Sequence, residues 1–156
     1  MYAVRRALER YRSLTFVERS LLAEAALLVP AVHALQTVAP FRVWRAWMTV
    51  GGLRRAVDLL SRTSAPGRER PTPEMVAQAI ERARKGVPGV YKCLPQAYAG
   101  YLLLRRYGYD SSIQVGVSRD AKGAVEAHAW VELDGRVLIG ELPDLARFVP
   151  LPPLRV

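Results

Sequence analysis

The sequence is poor in cysteine and histidine. Of its 156 residues, one is cysteine, Cys93, and two are histidines, His33 and His128. A lone cysteine excludes an intramolecular disulfide, and no signal-peptide pattern is present, so we expect a protein of the reducing cytoplasm. Neither a metal site nor a cofactor is predicted.

The sequence also lacks repeats, low-complexity tracts and an unbroken hydrophobic run. Its composition of 51% hydrophobic and 24% charged residues is typical of a globular protein. The most apolar segment, residues 21–43, is interrupted by charged residues, a histidine and prolines, namely Glu24, Pro30, His33, Pro40 and Arg42. We therefore favour a helical pair packed against the rest of the protein, with a membrane anchor as the alternative.

Positive charge is abundant and unevenly placed. The net charge is +9, of which residues 1–70 carry +7 (12 Lys/Arg and 5 Asp/Glu) and residues 71–156 carry +2 (11 and 9). A basic half is compatible with nucleic acid, anionic lipid or an acidic protein partner. Nucleic acid is not expected, because the arginines are scattered along amphipathic helices and no known nucleic-acid-binding motif is present.

Residues 1–70 read as a basic region of amphipathic helices. Thr15 followed by Glu18 is a capping-box pattern, and Pro30 and Pro40 are expected to kink or end helices. The stretch SRTSAPGRERPTP is rich in Ser, Pro, Gly and Arg, so we place a domain boundary within residues 62–71.

Residues 71–156 read as a separate α+β core. Thr72-Pro73-Glu74 begins a helix that runs to about residue 85, and a second, largely apolar helix runs from Cys93 to Gly108. The spacing of apolar residues then changes from a helical period of 3.6 residues to a strand period of 2 residues. The segments SIQVGVS, VEAHAWVEL and RVLIGE therefore predict three antiparallel strands. The Pro-rich C-terminal tail is expected to run across the surface. The predicted fold is a central buried helix packed on an antiparallel sheet.

Cys93 and His128 are the candidate catalytic pair. The predicted position of Cys93 at a helix N-terminus favours a thiolate, because unpaired N–H groups and the helix dipole point at it. The alternative is a small buried apolar residue, which is the commoner role of a lone cysteine. His128 shares a strand face with Glu126, Trp130 and Glu132, so the alternatives for it are a surface histidine and a partly covered one.

A carboxylate is expected beside His128. If Asp134-Gly135 is a two-residue hairpin turn, His128 lies directly opposite Glu141, and a bulged turn would move its partner to Gly140. Cys93, His128 and Glu141 would then be nucleophile, base and orienting acid. This chain order is that of papain-like and transglutaminase-like folds.

These segments resemble a known family. CLPQAYAGYLLLRRYG, IQVGV and AHAWVELDGRVLIGE are similar to blocks of the lasso-peptide leader peptidases, the transglutaminase-like B proteins, over about residues 73–150. The resemblance implies a cysteine peptidase that cuts the leader from a ribosomally made precursor peptide, after which a separate ATP-dependent cyclase closes the ring. The chain resembles the split form of the family. This form implies a small leader-binding partner protein, the RiPP recognition element.

The resemblance assigns Cys93 as nucleophile and His128 as base, but the third position departs from the family pattern. Family members often carry Asp about twelve residues after the histidine, where this sequence has Gly140, and Glu141 is the nearest acid. A catalytically silent scaffold that binds peptide or protein therefore stays an alternative. A further alternative is a basic protein that docks on nucleic acid or membrane through residues 1–70. The arginines of that region, including Arg5, Arg6 and Arg10, form either a solvated helix face or a docking surface for the leader-binding partner or an acidic part of the precursor.

Overall fold

A computed structural model describes residues 11–38, 70–86 and 92–151 of the chain. The described part contains three α-helices, four β-strands and one short 3-10 turn. They are α1 (Phe16–Val38), α2 (Pro73–Gly86), α3 (Cys93–Arg106), β1 (Ser112–Arg119), β2 (Val125–Leu133), β3 (Arg136–Ile139), the 3-10 turn (Leu145–Arg147) and β4 (Val149–Pro150). Most of the helix predicted over residues 3–12, the helical segment predicted over residues 41–62 and most of the predicted linker lie outside the described residues.

The predicted helix starts are confirmed by their hydrogen bonds. The backbone N–H of Thr15 donates to Glu18 Oε2 at 2.8 Å, and the N–H of Glu18 donates to Thr15 Oγ1 at 3.2 Å, which completes the capping box. At the start of α2 the N–H of Met75 donates to Thr72 Oγ1 at 3.3 Å. Short polar side chains at these two positions therefore satisfy N–H groups that have no partner within the helix.

The prediction for Pro30 is a kink or a helix end, and the second alternative is wrong because α1 continues through this proline. By length and composition α1 could also cross a membrane, with a mean hydropathy of 1.6 over its most apolar window. Of that window, 22% is buried, and the buried face packs against α2 and α3. The buried residues recur at helical spacing: Leu21, Ala25, Val29 and Val32.

Glu24 explains how α1 carries a charge within this apolar segment. Its Oε2 atom accepts a hydrogen bond from the hydroxyl of Tyr107, just beyond the end of α3, at 2.9 Å. The same atom lies 3.5 Å from the guanidinium of Arg106, in the last turn of α3. The carboxylate is four-fifths buried. Its charge is therefore compensated within the protein, and the contact fixes α1 against α3.

The sheet is antiparallel with strand order β3-β2-β1-β4, and helix α3 packs on it. The predicted α+β architecture with a buried central helix is confirmed. Residues 97–104 of α3 are all buried, which explains why its interior is almost wholly apolar. The inward side chains of the strands complete the core, namely Ile113, Ala129, Val131 and Ile139.

The described part of the C-terminal tail lies at the surface as predicted, but it also forms a strand that was not predicted. After the 3-10 turn, Val149 pairs with Val117 and Pro150 with Gly116, so the tail adds an edge strand to the sheet. Phe148 is only 6% exposed, whereas Val149 is 67% exposed. Alternation along this short segment thus places the phenyl ring against the sheet, and the tail covers part of the face that carries Trp130.

Gly116 allows this close packing. A Cβ atom at Gly116 would lie 2.9 Å from Phe148 Cβ and 2.9 Å from two ring carbons of Trp130. The indole N–H of Trp130 donates to Glu132 Oε1 at 2.7 Å, which satisfies its only polar atom. Trp130 is 3% exposed, so the expectation that its strand face is partly covered is confirmed.

Candidate active site

Cys93 is the first residue of α3, as predicted. The residue before it, Lys92, has an extended backbone (φ −62°, ψ 157°) and makes no side-chain cap bond among the described residues. A lysine ammonium has no acceptor atom, so it cannot occupy the N–H groups of the first turn. The side chain of Lys92 therefore leaves the N–H groups of the first turn of α3 uncapped.

The thiol of Cys93 points at the strand that carries His128. Its Sγ lies 3.9 Å from the carbonyl oxygen of Ala127, a long S–H···O contact. The side chain is half-buried, which leaves it accessible from one side. Because Ala127 directly precedes His128, the contact brings the start of α3 to the part of β2 where the histidine lies.

The His128 ring is held on three sides. It lies nearly parallel to Trp130 with centroids 6.2 Å apart, and it meets the ring of Phe148 at 44° with centroids 5.5 Å apart. Its Nε2 atom is 2.7 Å from the carbonyl oxygen of Gly140. Two aromatic contacts and one hydrogen bond therefore restrict the orientation of the imidazole.

Cys93 and His128 border one cleft of about 810 Å³. One wall is formed by α2, and the other is residues 138–142, which are the end of β3 and the segment after it. Gln96, one turn after Cys93 on α3, also borders it. A thiol and an imidazole thus face a volume large enough for several residues of a peptide.

Charge along the α2 wall is mixed. Hydrogen bonding to Arg84 lowers the pKa of Glu81 to about 2, with a further contribution from Lys85. The two ion pairs have N···O distances of 2.6 and 3.1 Å. Arg82 on the same wall lies 3.8 Å from Glu18 of α1. The Glu81 carboxylate therefore stays ionised at neutral pH.

Glu141 borders the cleft, but the predicted strand pairing of Glu141 with His128 is not observed. The turn itself is confirmed: Asp134 and Gly135 have φ of 52° and 75°, and Leu133 pairs with Arg136. The ladder then shifts at a bulge and ends at Val131↔Ile139, so among the described residues no strand pairing sets Glu141 opposite His128. Its assignment as the third catalytic residue stays a prediction.

Comparison with known families agrees with this geometry. A sequence model of the transglutaminase-like superfamily matches residues 35–152, which is most of the chain. The chain belongs to the transglutaminase-like superfamily. Comparison with curated proteins and with solved structures finds no match. The superfamily commonly contains cysteine peptidases and transglutaminases, and its fold is consistent with a cysteine-peptidase scaffold.

Three parts of this transglutaminase-like site were missed from the sequence. They are the wall formed by α2, the ring of Phe148 and the carbonyl of Gly140. The first two depend on which elements pack together, which no local pattern states. For Gly140 there was a signal, since a glycine stands where an acid was expected, but a backbone oxygen leaves no trace in residue type.

Proposed function

We propose that this transglutaminase-like chain is a cysteine peptidase that removes the leader peptide from a ribosomally synthesised lasso-peptide precursor. The observation that carries the proposal is Cys93 at the start of α3, bordering the same cleft as His128. The resemblance of the surrounding segments to lasso-peptide leader peptidases supplies the substrate class. The partners in this proposal are a small leader-binding protein and an ATP-dependent cyclase, all in the cytoplasm.

The first half of the reaction is acylation. His128 takes the proton of Cys93, and the thiolate attacks the carbonyl carbon at the end of the leader. The backbone N–H groups at the start of α3 stabilise the oxyanion that forms. The C–N bond then breaks, the amine of the core peptide leaves with the proton from His128, and the leader is held as a thioester.

The second half is hydrolysis. Water loses a proton to His128 and attacks the thioester, which releases the leader as a carboxylic acid and restores the thiol. The core peptide leaves with a free amino terminus. That amine is the nucleophile that a cyclase joins to an acidic side chain, so the two activities follow one another chemically.

The experiment uses the full chain, a precursor peptide and the leader-binding protein, with products identified by mass spectrometry. Cys93→Ala is expected to abolish cleavage and Cys93→Ser to reduce it by at least about 10³-fold, because an alcohol is a much weaker nucleophile than a thiolate. An adduct of leader mass on the wild-type chain after acid quenching supports the thioester. Cleavage that persists in Cys93→Ala contradicts the proposal.

The second candidate is a silent scaffold that binds peptide without cutting it. The observation that favours it is the glycine at position 140, where leader peptidases often carry Asp. A scaffold binds the precursor equally well with Cys93 or Ala at position 93 and forms no covalent adduct. Binding without any turnover by the wild-type chain, in the presence of the leader-binding protein, would favour this candidate.

A further inference from the structure

We propose that the backbone carbonyl of Gly140 takes the place of a side-chain acid in orienting His128, so that this site works as a Cys-His pair positioned by the main chain. The proposal goes beyond the peptidase assignment and rests on it for the catalytic meaning of His128. The orientation itself is a property of the folded protein and can be measured without substrate.

The hydrogen bond determines the state of the imidazole. A carbonyl oxygen can only accept, so the His128 nitrogen 2.7 Å from it, Nε2, must carry the proton. In the neutral ring the other nitrogen, Nδ1, then has a free lone pair. A base needs that lone pair, and the main-chain contact keeps it on Nδ1.

The backbone conformation at position 140 makes this contact and excludes the usual acid. Gly140 has φ of 84°, in the left-handed region that glycine adopts at little cost. A Cβ atom there would lie 2.8 Å from the carbonyl oxygen of Ala129 and 3.1 Å from Trp130 Cα. Both are backbone atoms of β2 and cannot move without disturbing the sheet. An aspartate at position 140 would therefore force the main chain into another conformation, and the carbonyl oxygen would move away from His128.

The surroundings of His128 do not offer an equivalent carboxylate contact. Among the described residues, Glu126 is paired with Arg147 at 2.6 Å, and Glu132 accepts from the Trp130 indole at 2.7 Å. Glu141 is exposed on the cleft rim, past the end of the β2–β3 ladder. The carbonyl of Gly140 is thus the acceptor that the structure gives to Nε2.

The test reads the tautomer of His128 by long-range ¹H–¹⁵N NMR on the ¹⁵N-labelled full chain. With His33→Gln as background, one imidazole remains, which makes the assignment direct. We expect the neutral ring to carry its proton on Nε2 alone. A ring with its proton mainly on Nδ1, or one that samples both tautomers as in the unfolded chain, overturns the proposal.

Two variants separate the carbonyl from Glu141. Glu141→Gln is expected to leave the His128 tautomer unchanged, and a shift to a mixture would assign the orienting role to Glu141 and overturn the proposal. Gly140→Ala is expected to give a mixture of tautomers and to lower kcat for precursor cleavage by about 100-fold, as a misplaced catalytic group does. A folded Gly140→Ala with a pure Nε2–H ring and unchanged kcat also overturns it.

Gly123→Ala is the matched control for backbone strain. Gly123 has φ of 81°, similar to Gly140, but among the described residues no heavy atom lies within 4 Å of a Cβ built there. It should keep the Nε2–H tautomer and the cleavage rate. If Gly140→Ala does not fold, the wild-type and Glu141→Gln spectra decide the question. Cleavage that does not need Cys93 would refute the peptidase function but leave the tautomer result standing.

Discussion

Phe148 should contribute more to stability than its place in a Pro-rich tail suggests. Its ring is 94% buried against Gly116, Trp130 and the His128 imidazole. A Phe side chain of this kind removes about 150 Å² of apolar surface from water, which at about 25 cal/mol/Å² is about 4 kcal/mol. The two-residue strand β4 can partly collapse into the space that Phe148→Ala leaves, so we expect a loss of about 3 kcal/mol.

The assay is urea unfolding of the full chain followed by far-UV circular dichroism, with the free energy of unfolding compared at an unchanged m-value. Val149→Ala is the control, because the neighbouring side chain is 67% exposed and its truncation should cost about 0.5 kcal/mol or less. Phe148→Leu should lie between the two. A loss below about 1 kcal/mol for Phe148→Ala would show that the tail does not pack on the sheet as described.

Three further predictions concern the fold and its charges. Glu24→Ala should cost about 2 kcal/mol in urea unfolding, because it removes the acceptor that the Tyr107 hydroxyl and the Arg106 guanidinium share, and Glu24→Gln should cost about half as much. Gly116→Ala should cost about 1–3 kcal/mol by thermal unfolding, since the new methyl group would overlap the Trp130 ring and the Cβ atom of Phe148. The pKa of Glu81 is lowered from 4.5 to about 2 by Arg84, so its contribution is present above pH 4.5 and is lost as the pH falls towards 2. Because this pair is nearly half exposed, we expect a difference between wild type and Glu81→Gln of about 0.5 kcal/mol at pH 6 that vanishes near pH 2.

Local signals predicted the local elements well. The capping box at Thr15, the start of α2 at Pro73 and the start of α3 at Cys93 were all readable, because each depends on hydrogen bonds or backbone angles within a few residues. The Asp134-Gly135 turn was readable for the same reason.

Long-range contacts were predicted less well. The register of β3 was right next to the turn and wrong beyond it, since the bulge beside Glu132 depends on how the strand packs. The tail was predicted to lie on the surface because prolines dominate its composition. Burial of Phe148 depends on a partner surface formed by β1 and β2, far away in sequence.

The sequence by itself determined that this protein is a helix-and-sheet domain with one thiol at a helix start and one imidazole on a following strand. Those features follow from periodicity, caps and turns, which act over a few residues. Only the tertiary structure decided what touches the imidazole. A bulge moves Glu141 out of register, and a glycine at φ 84° brings a main-chain oxygen to His128 Nε2. The acceptor of this hydrogen bond is a main-chain oxygen, and its position depends on the path of the backbone. Every residue type has the same carbonyl group, so residue types alone do not identify it.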